Sequence, residues 1–187
     1  MKKVLPLLAT ILLAVWVTTR WDAWFHNPEE LPYTPPSTPH RLLLTFGDSL
    51  ELSRNVSWQC DTVLRPSHLE LLCIDDSTRQ TIKAYGEVFD SRNGRAAYYV
   101  ARLRTLAPDR HYAYRAITAG KASPWHTFRT YPTHRATTSF LYVGDVQDTL
   151  GGITNKILQQ AFARHPQCEM LVCGGDFVER PTNQDWQ

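Results

Sequence analysis

Cysteine and glycine are scarce in this chain, and neither sign of charge prevails. The four cysteines among 187 residues are Cys60, Cys73, Cys168 and Cys173, and no two are spaced Cys-x-x-Cys. That speaks against a structural zinc knuckle. Four cysteines allow three disulfide pairings, and the sequence leaves the choice open. The plain expectation is small buried apolar residues, with bridges only in an oxidising compartment. Twenty basic against eighteen acidic residues leave a net charge of +2, too little for the basic footprint of a nucleic-acid binder. Hydrophobic residues at 43% and charged residues at 20% exclude a disordered chain. The twelve prolines outnumber the nine glycines, and aromatics reach 11%, which favours short strands over long helices.

One long apolar run is present, at the amino end. Lys2 and Lys3 precede Val4 to Val17, a charged region followed by a short hydrophobic one. A relaxed membrane span needs about 20 residues. Thr18-Thr19-Arg20-Trp21 follows in place of a small-x-small cleavage site, and Trp21, Trp24 and Phe25 are residues suited to a membrane interface. Residues 1–25 are expected to be an export signal, with an uncleaved membrane anchor as the alternative. The location expected is therefore periplasmic, cell-envelope or secreted. Residues 26–40 carry Pro28, Pro32, Pro35, Pro36 and Pro39. Such a stretch cannot pack as helix or inner strand and predicts an extended linker.

Between residues 41 and 130 short strand patterns alternate with turn clusters. The candidate strands are Arg41–Phe46, Asn55–Cys60, His68–Ile74, Thr81–Phe89, Ala96–Leu106, His111–Ala119 and Trp125–Thr130. About seven short strands with frequent turns predict an antiparallel β-sandwich of the fibronectin type III or immunoglobulin kind. Val56, Trp58 and Cys60 alternate with Ser57 and Gln59, so one face of that strand is buried. Leu106, the turn Pro108-Asp109, then Tyr112-Ala113-Tyr114 predict a tyrosine corner. Trp58 and Tyr112 are expected in the core, and nothing in this stretch has a catalytic pattern.

The period changes after the connector Tyr131–Thr137. Phe140–Val143 and Met170–Cys173 are continuous apolar runs, as in strands covered on both faces. Between them Ile153, Ile157, Leu158, Ala161 and Phe162 form a helical stripe over Thr154–His165, ended by Pro166. Strand, helix, strand predicts one right-handed crossover with parallel strands. Each strand ends in Gly-Asp: Gly144-Asp145-Val146-Gln147-Asp148, and Gly174-Gly175-Asp176-Phe177-Val178-Glu179-Arg180. A parallel sheet brings both carboxylates to its carboxyl edge, where ligand sites of open α/β sheets lie. Carboxylates held close together repel unless a proton, a cationic side chain or a metal neutralises them. Two metal ions bridged by a carboxylate would clamp a phosphate and activate a water. One Gly-Asp is ordinary turn chemistry; two, each after a buried strand and a crossover apart, favour a site.

These blocks resemble the first two motifs of calcineurin-like metallophosphoesterases. The strand-rich stretch resembles the fibronectin type III-like amino-terminal domain of purple acid phosphatases, through Val56-Ser57-Trp58, Leu106 to Arg115, and Trp125-His126-Thr127-Phe128-Arg129-Thr130. The resemblance implies that Asp145 binds a first metal and Asp176 bridges two, with Gln147 as a lesser metal or water contact. It implies two metal ions, Fe, Zn or Mn, and a phosphate-ester substrate. Two departures stand out. Gln147 occupies a position where many members have histidine and purple acid phosphatases have glycine, and an amide oxygen is the weaker ligand. Glu179 stands where purple acid phosphatases place the tyrosine that colours their iron, which argues against a purple centre; as a partner of Arg180 it has an ordinary structural role. Asp148 reads as a solvated turn residue.

The family's later motifs, Gly-Asn-His, a lone metal-binding histidine and Gly-His-x-His, do not occur, and all seven histidines precede Asp176. The catalytic residues are therefore expected outside this sequence. The expectation is a fragment: a sandwich over 41–130 followed by the first β-α-β unit, 138–187, of an α/β metallophosphoesterase domain. The full-length parent would be an exported metal-dependent phosphatase, and this chain alone would be inactive. The rival expectation is a non-enzymatic exported sandwich module for binding or spacing. A carbohydrate-binding sandwich has only the aromatic content behind it.

Overall fold

The computed structural model describes residues 4–25, 32–49, 52–91, 94–134, 137–146 and 152–176. The chain divides into two compact units, Met1–Leu31 and Pro32–Gln187. The first contains helix α1, Val4–Phe25. Its three threonines turn their hydroxyls onto the helix backbone: Thr10 donates to Pro6 O, Thr18 to Val15 O and Thr19 to Trp16 O, each at 2.9 Å. Trp16 meets Trp24 edge-on at 4.9 Å, and Trp21 lies 4.4 Å from Phe25. Leu8, Ile11, Leu12, Leu13, Val15 and all three tryptophans are exposed. Among the described residues no helix is long and apolar enough to cross a membrane.

In the second unit, antiparallel strands β1 (His40–Phe46), β2 (Arg54–Gln59), β3 (Ser67–Cys73), β4 (Arg79–Ser91), β5 (Gly94–Leu103), β6 (His111–Thr118), β7 (Lys121–Ala122) and β8 (His126–Arg129) form a curled sheet. The path is β1-β2-β5-β4-β3-β6-β7, with β8 also on β6. The long strand β4 makes the curl. Its first part, Arg79–Lys83, pairs with β3, and Ala84–Ser91 pairs with β5. One strand thus belongs to both layers of the sandwich, a corner made by a strand that changes sheets. The sequence pattern covers only Thr81–Phe89, because the ends of β4 are exposed on both faces and carry no apolar alternation.

Core residues come from the inward face of each layer. Val56, Trp58, Ala97, Tyr99, Ala101 and Leu103 on one side face Leu69, Leu71, Tyr112, Tyr114 and Ala116 on the other. Trp58 is 2% exposed and stacks on Tyr99 at 5.7 Å. Full burial of side chains of this size is worth about 1.5–3 kcal/mol each. Cys60 and Cys73 lie buried in this cluster as unbridged thiols, and burial pushes the Cys60 thiol up in pKa. Arg54, 4% exposed, stacks its guanidinium on Phe46 and Tyr131 at 4.8 and 5.2 Å, so cation–π contacts help hold a buried charge.

The tyrosine corner is present. The Ala107 amide donates to Tyr112 Oη at 2.9 Å, and Leu106 is buried beneath. The strand predicted to reach Leu106 stops at Leu103, because the chain leaves the ladder to build that corner. The two-residue strand β7 has no apolar pattern to announce it. It pairs with β6 through a turn in which Ala119 and Gly120 both have positive φ, 49° and 78°, the arrangement of a tight hairpin.

The predicted linker differs in its second half. Residues 33–39 lie against the sandwich: Pro35 and Pro39 are buried, and the Asp61 amide donates to Pro36 O at 3.0 Å. Proline offers a carbonyl to an edge without needing to donate. His26 and the rest of the predicted linker up to residue 31 lie outside the described residues.

After the connector come β9 (Phe140–Val143), α2 (Ile153–Arg164) and β10 (Met170–Cys173), with β10 parallel to β9. The helix bounds shift by one residue from the apolar stripe; His165 is its C-cap and donates its amide to Ala161 O. None of its described residues is buried.

Candidate functional site

Strands β9 and β10 pair in register, Met170 opposite Phe140 through Cys173 opposite Val143. Hydrogen bonds carry the ladder past both strand ends. Gly174 N donates to Val143 O at 2.6 Å, and Asp145 N to Gly175 O at 3.1 Å. Asp145 and Asp176 therefore both emerge at the carboxyl edge of one parallel pair. Both adopt the left-handed conformation, with φ of 53° and 47°, which aspartate tolerates better than most residues. Both side chains are exposed. The two Gly-Asp turns are thus similar in backbone as well as in sequence.

Two further residues shape this edge. Thr154, in the first turn of α2, donates its hydroxyl to Val146 O at 3.1 Å. It ties the helix to the turn that holds Asp145. Tyr142 reaches along β9 over Gly144 and across to Gly174. A Cβ built on Gly174 would overlap its hydroxyl, and one on Gly144 would stand 3.5 Å from it. A side chain at 174 would need the exposed Tyr142 phenol to move aside. Sequence reading assigned Tyr142 only to the strand's apolar run; the signal available was Tyr-x-Gly before the first aspartate.

Gln147, Asp148, Glu179 and Arg180, weighed as candidates from sequence, lie outside the described residues. Among the described residues no group of three His, Cys, Asp or Glu side chains is placed to hold a metal ion. Two carboxylates supply hard oxygen donors, but zinc alone takes four ligands. The described residues by themselves do not fit a two-metal centre.

Charged groups of the sandwich are engaged in structure. Arg115 pairs with Glu70 at 2.6 Å and lies over Trp125 at 4.7 Å. Arg95 grips Asp90 at 2.8 and 3.0 Å and holds that carboxyl below its usual pKa. The backbone amide of His111 donates to Asp75 at 2.7 Å and lowers it likewise. His126 packs on Tyr114 at 5.5 Å.

Residues 39–130 match the family model described as purple acid phosphatase, N-terminal domain. The sandwich thus resembles the domain found at the amino end of purple acid phosphatases, and the match points to a phosphatase relative. No curated protein matches the chain. One similar solved structure is Astrotactin-2, titled a conserved vertebrate-specific and perforin-like membrane protein involved in neuronal development. The likeness has 14% identity and a TM-score of 0.39, over 53% of this chain and 23% of that one.

Proposed function

We propose that the chain is part of an exported, metal-dependent phosphate-ester hydrolase of the acid-phosphatase type. The observation that carries this reading is a conjunction. A sandwich matching the purple acid phosphatase amino-terminal model is followed by a parallel strand pair whose two Gly-Asp turns leave at one edge. Asp145 and Asp176 would be the anionic donors there, with Gln147 as a lesser contact. A bound metal pair, Fe, Zn or Mn, would supply Lewis acidity and a water of lowered pKa. The family's Gly-Asn-His and Gly-His-x-His donors do not occur in these 187 residues, so this chain assayed by itself is expected to be inactive in this reading. Lys2, Lys3 and the apolar α1 support export, with an uncleaved membrane anchor through α1 as the alternative to a cleaved signal.

The test is hydrolysis of p-nitrophenyl phosphate by the product of the whole natural gene, with each metal and after chelation. Metal-dependent turnover that is largely lost in Asp176→Asn supports the reading. No turnover, or turnover indifferent to chelation and to Asp176→Asn, favours the second reading, a non-enzymatic sandwich module. The sandwich's own closed core, with Trp58, Leu69, Leu71 and Leu103 at most 2% exposed, is the observation on that side.

A further inference from the structure

Residues 33–39 form a strap held to the sandwich by a polar cluster around His40. Tyr33 Oη lies 2.7 Å from His40 Nε2 and donates its proton to Gln59 Oε1 at 3.2 Å. Tyr33 Oη serves both neighbours when His40 carries its proton on Nε2 and donates it to that oxygen. Gln59 Nε2 donates onward to Tyr98 Oη at 2.9 Å. Arg41 stacks over the Tyr33 ring at 4.9 Å and reaches Gln59 Oε1 at 3.5 Å. The strap has further anchors on the same surface. The Asp61 amide meets Pro36 O at 3.0 Å, Lys121 Nζ donates to Ser37 Oγ at 2.5 Å, and Tyr33 O sits where a Cβ on Gly94 would come within 2.7 Å.

We infer that protonation of His40 releases this strap from the sandwich, making residues 33–39 an acid-labile fastening. The reason is the second ring nitrogen. His40 Nδ1 is buried with no hydrogen-bond partner, so a proton added there makes a cation in a buried setting, which the Thr38 and Gln59 groups beside the ring compensate only in part. The groups facing the ring are Tyr33 from the strap, Arg41 from β1, and Gln59 from β2 with Tyr98 behind it. The charged one is Arg41, of the same sign as imidazolium. Burial first, then Arg41, depress the His40 pKa below 6.5, and the Thr38 and Gln59 groups beside the ring offset this only in part. A backbone break beside His40 lets it go. His40 pairs with Gln59, the register then shifts, and the ladder resumes at Leu43 opposite Ser57, with Arg41 at φ 52° between. The strap and His40 can leave while the rest of β1 stays paired.

The sign follows from linkage. A histidine kept neutral when docked takes up its proton more readily when undocked. The contribution of neutral His40 to docking is fully present above pH about 6.5 and is lost as pH falls toward the depressed value, by about tenfold per unit of pKa difference. Release frees on the order of 25 Å of extended chain.

Residue-resolved amide exchange on the full chain, corrected for intrinsic rates between pH 7.5 and 5.0, tests this. The Asp61 amide reports the strap, and the Cys60 amide, bonded to Ala97 O at 3.0 Å, reports the sandwich. The expected result is at least a several-fold loss of Asp61 protection at pH 5.0 with Cys60 unchanged, and no pH dependence of Asp61 in His40→Gln. A direct NMR titration of the His40 ring needs no variant and is expected to give a midpoint below 6.5. A midpoint at or above 6.5, flat Asp61 protection, or a pH dependence retained in His40→Gln overturns the inference.

Discussion

The hydroxyl of Tyr142 occupies the space that a β-carbon on Gly174 would need. Packing and chemistry meet at that contact, because Gly174 is the residue that leads β10 into the turn holding Asp176. Gly174→Ala is expected to push the phenol aside and loosen the bonds Gly174 N to Val143 O and Asp145 N to Gly175 O. Hydrogen exchange at these two amides should accelerate severalfold. Tyr142→Ala, which removes the obstacle, should restore much of the protection in the double variant. Equal exchange in wild type and Gly174→Ala would mean that the tyrosine yields without cost.

The Tyr112 corner gives a second measurement. Tyr112→Phe keeps the ring, which stacks on Phe128 at 5.3 Å, and removes the acceptor of the Ala107 amide. Ala107 is exposed, so water can reach the freed amide and the expected loss is that of an ordinary hydrogen bond, about 0.5–1.5 kcal/mol. Urea denaturation should show a lower midpoint with an unchanged m-value.

Trp58 and Thr118 offer a third. The indole Nε1 donates to Thr118 Oγ1 at 3.1 Å, and Ser67 donates to the same hydroxyl oxygen at 2.9 Å. Thr118 is fully buried. Thr118→Val is nearly isosteric but leaves the indole N–H without this acceptor, an expected loss of about 1–3 kcal/mol in urea or thermal unfolding. An unchanged stability would show that the indole finds another acceptor.

These contacts also mark what the sequence could and could not reveal. Alternation along β2 and the spacing from Leu106 to Tyr112 are local signals, and they located the core face and the corner. Phe140–Val143 and Met170–Cys173 were legible as apolar runs bounded by Gly-Asp. The Trp58–Thr118 bond, the sheet change within β4 and the seating of Tyr33 on His40 are long-range contacts with no periodicity to betray them. The same limit applies to the candidate site. Both aspartates were legible because each follows a strand directly, while the Tyr142–Gly174 packing depends on register between strands separated by a helix.

Acid should weaken the sandwich through its aspartates. Asp61 is held below the usual carboxylate pKa first by the Thr62 amide, Asp75 by the His111 amide, Asp76 by Thr78 and Asp90 by Arg95. Because their folded values are depressed, their stabilisation is present above pH about 3.8. It is lost as pH falls through the lower folded values. Melting temperatures should decline modestly as pH falls below 4, and Asp75→Asn should flatten part of that decline. A melting temperature constant from pH 5 to pH 2 would contradict this account.

The two parts of the second unit should differ in resistance to protease. The sandwich closes around Trp58, Leu69, Leu71 and Leu103, all at most 2% exposed. By contrast, Phe140 and Tyr142 on β9 and Ile153 and Ile157 on α2 are more than half exposed, and no described residue of α2 is buried. A two-stranded parallel sheet with open faces buries too little apolar surface to offset the entropy of ordering it. Local opening is then frequent, and cleavage follows the open population. Limited trypsin digestion is expected to cut first after Lys156 and Arg164, leaving a sandwich core that begins at Trp21, after Arg20, and ends at Arg129 or Arg135. An intact segment 140–176 beside a clipped sandwich would show that the β9–α2–β10 unit is stable on its own.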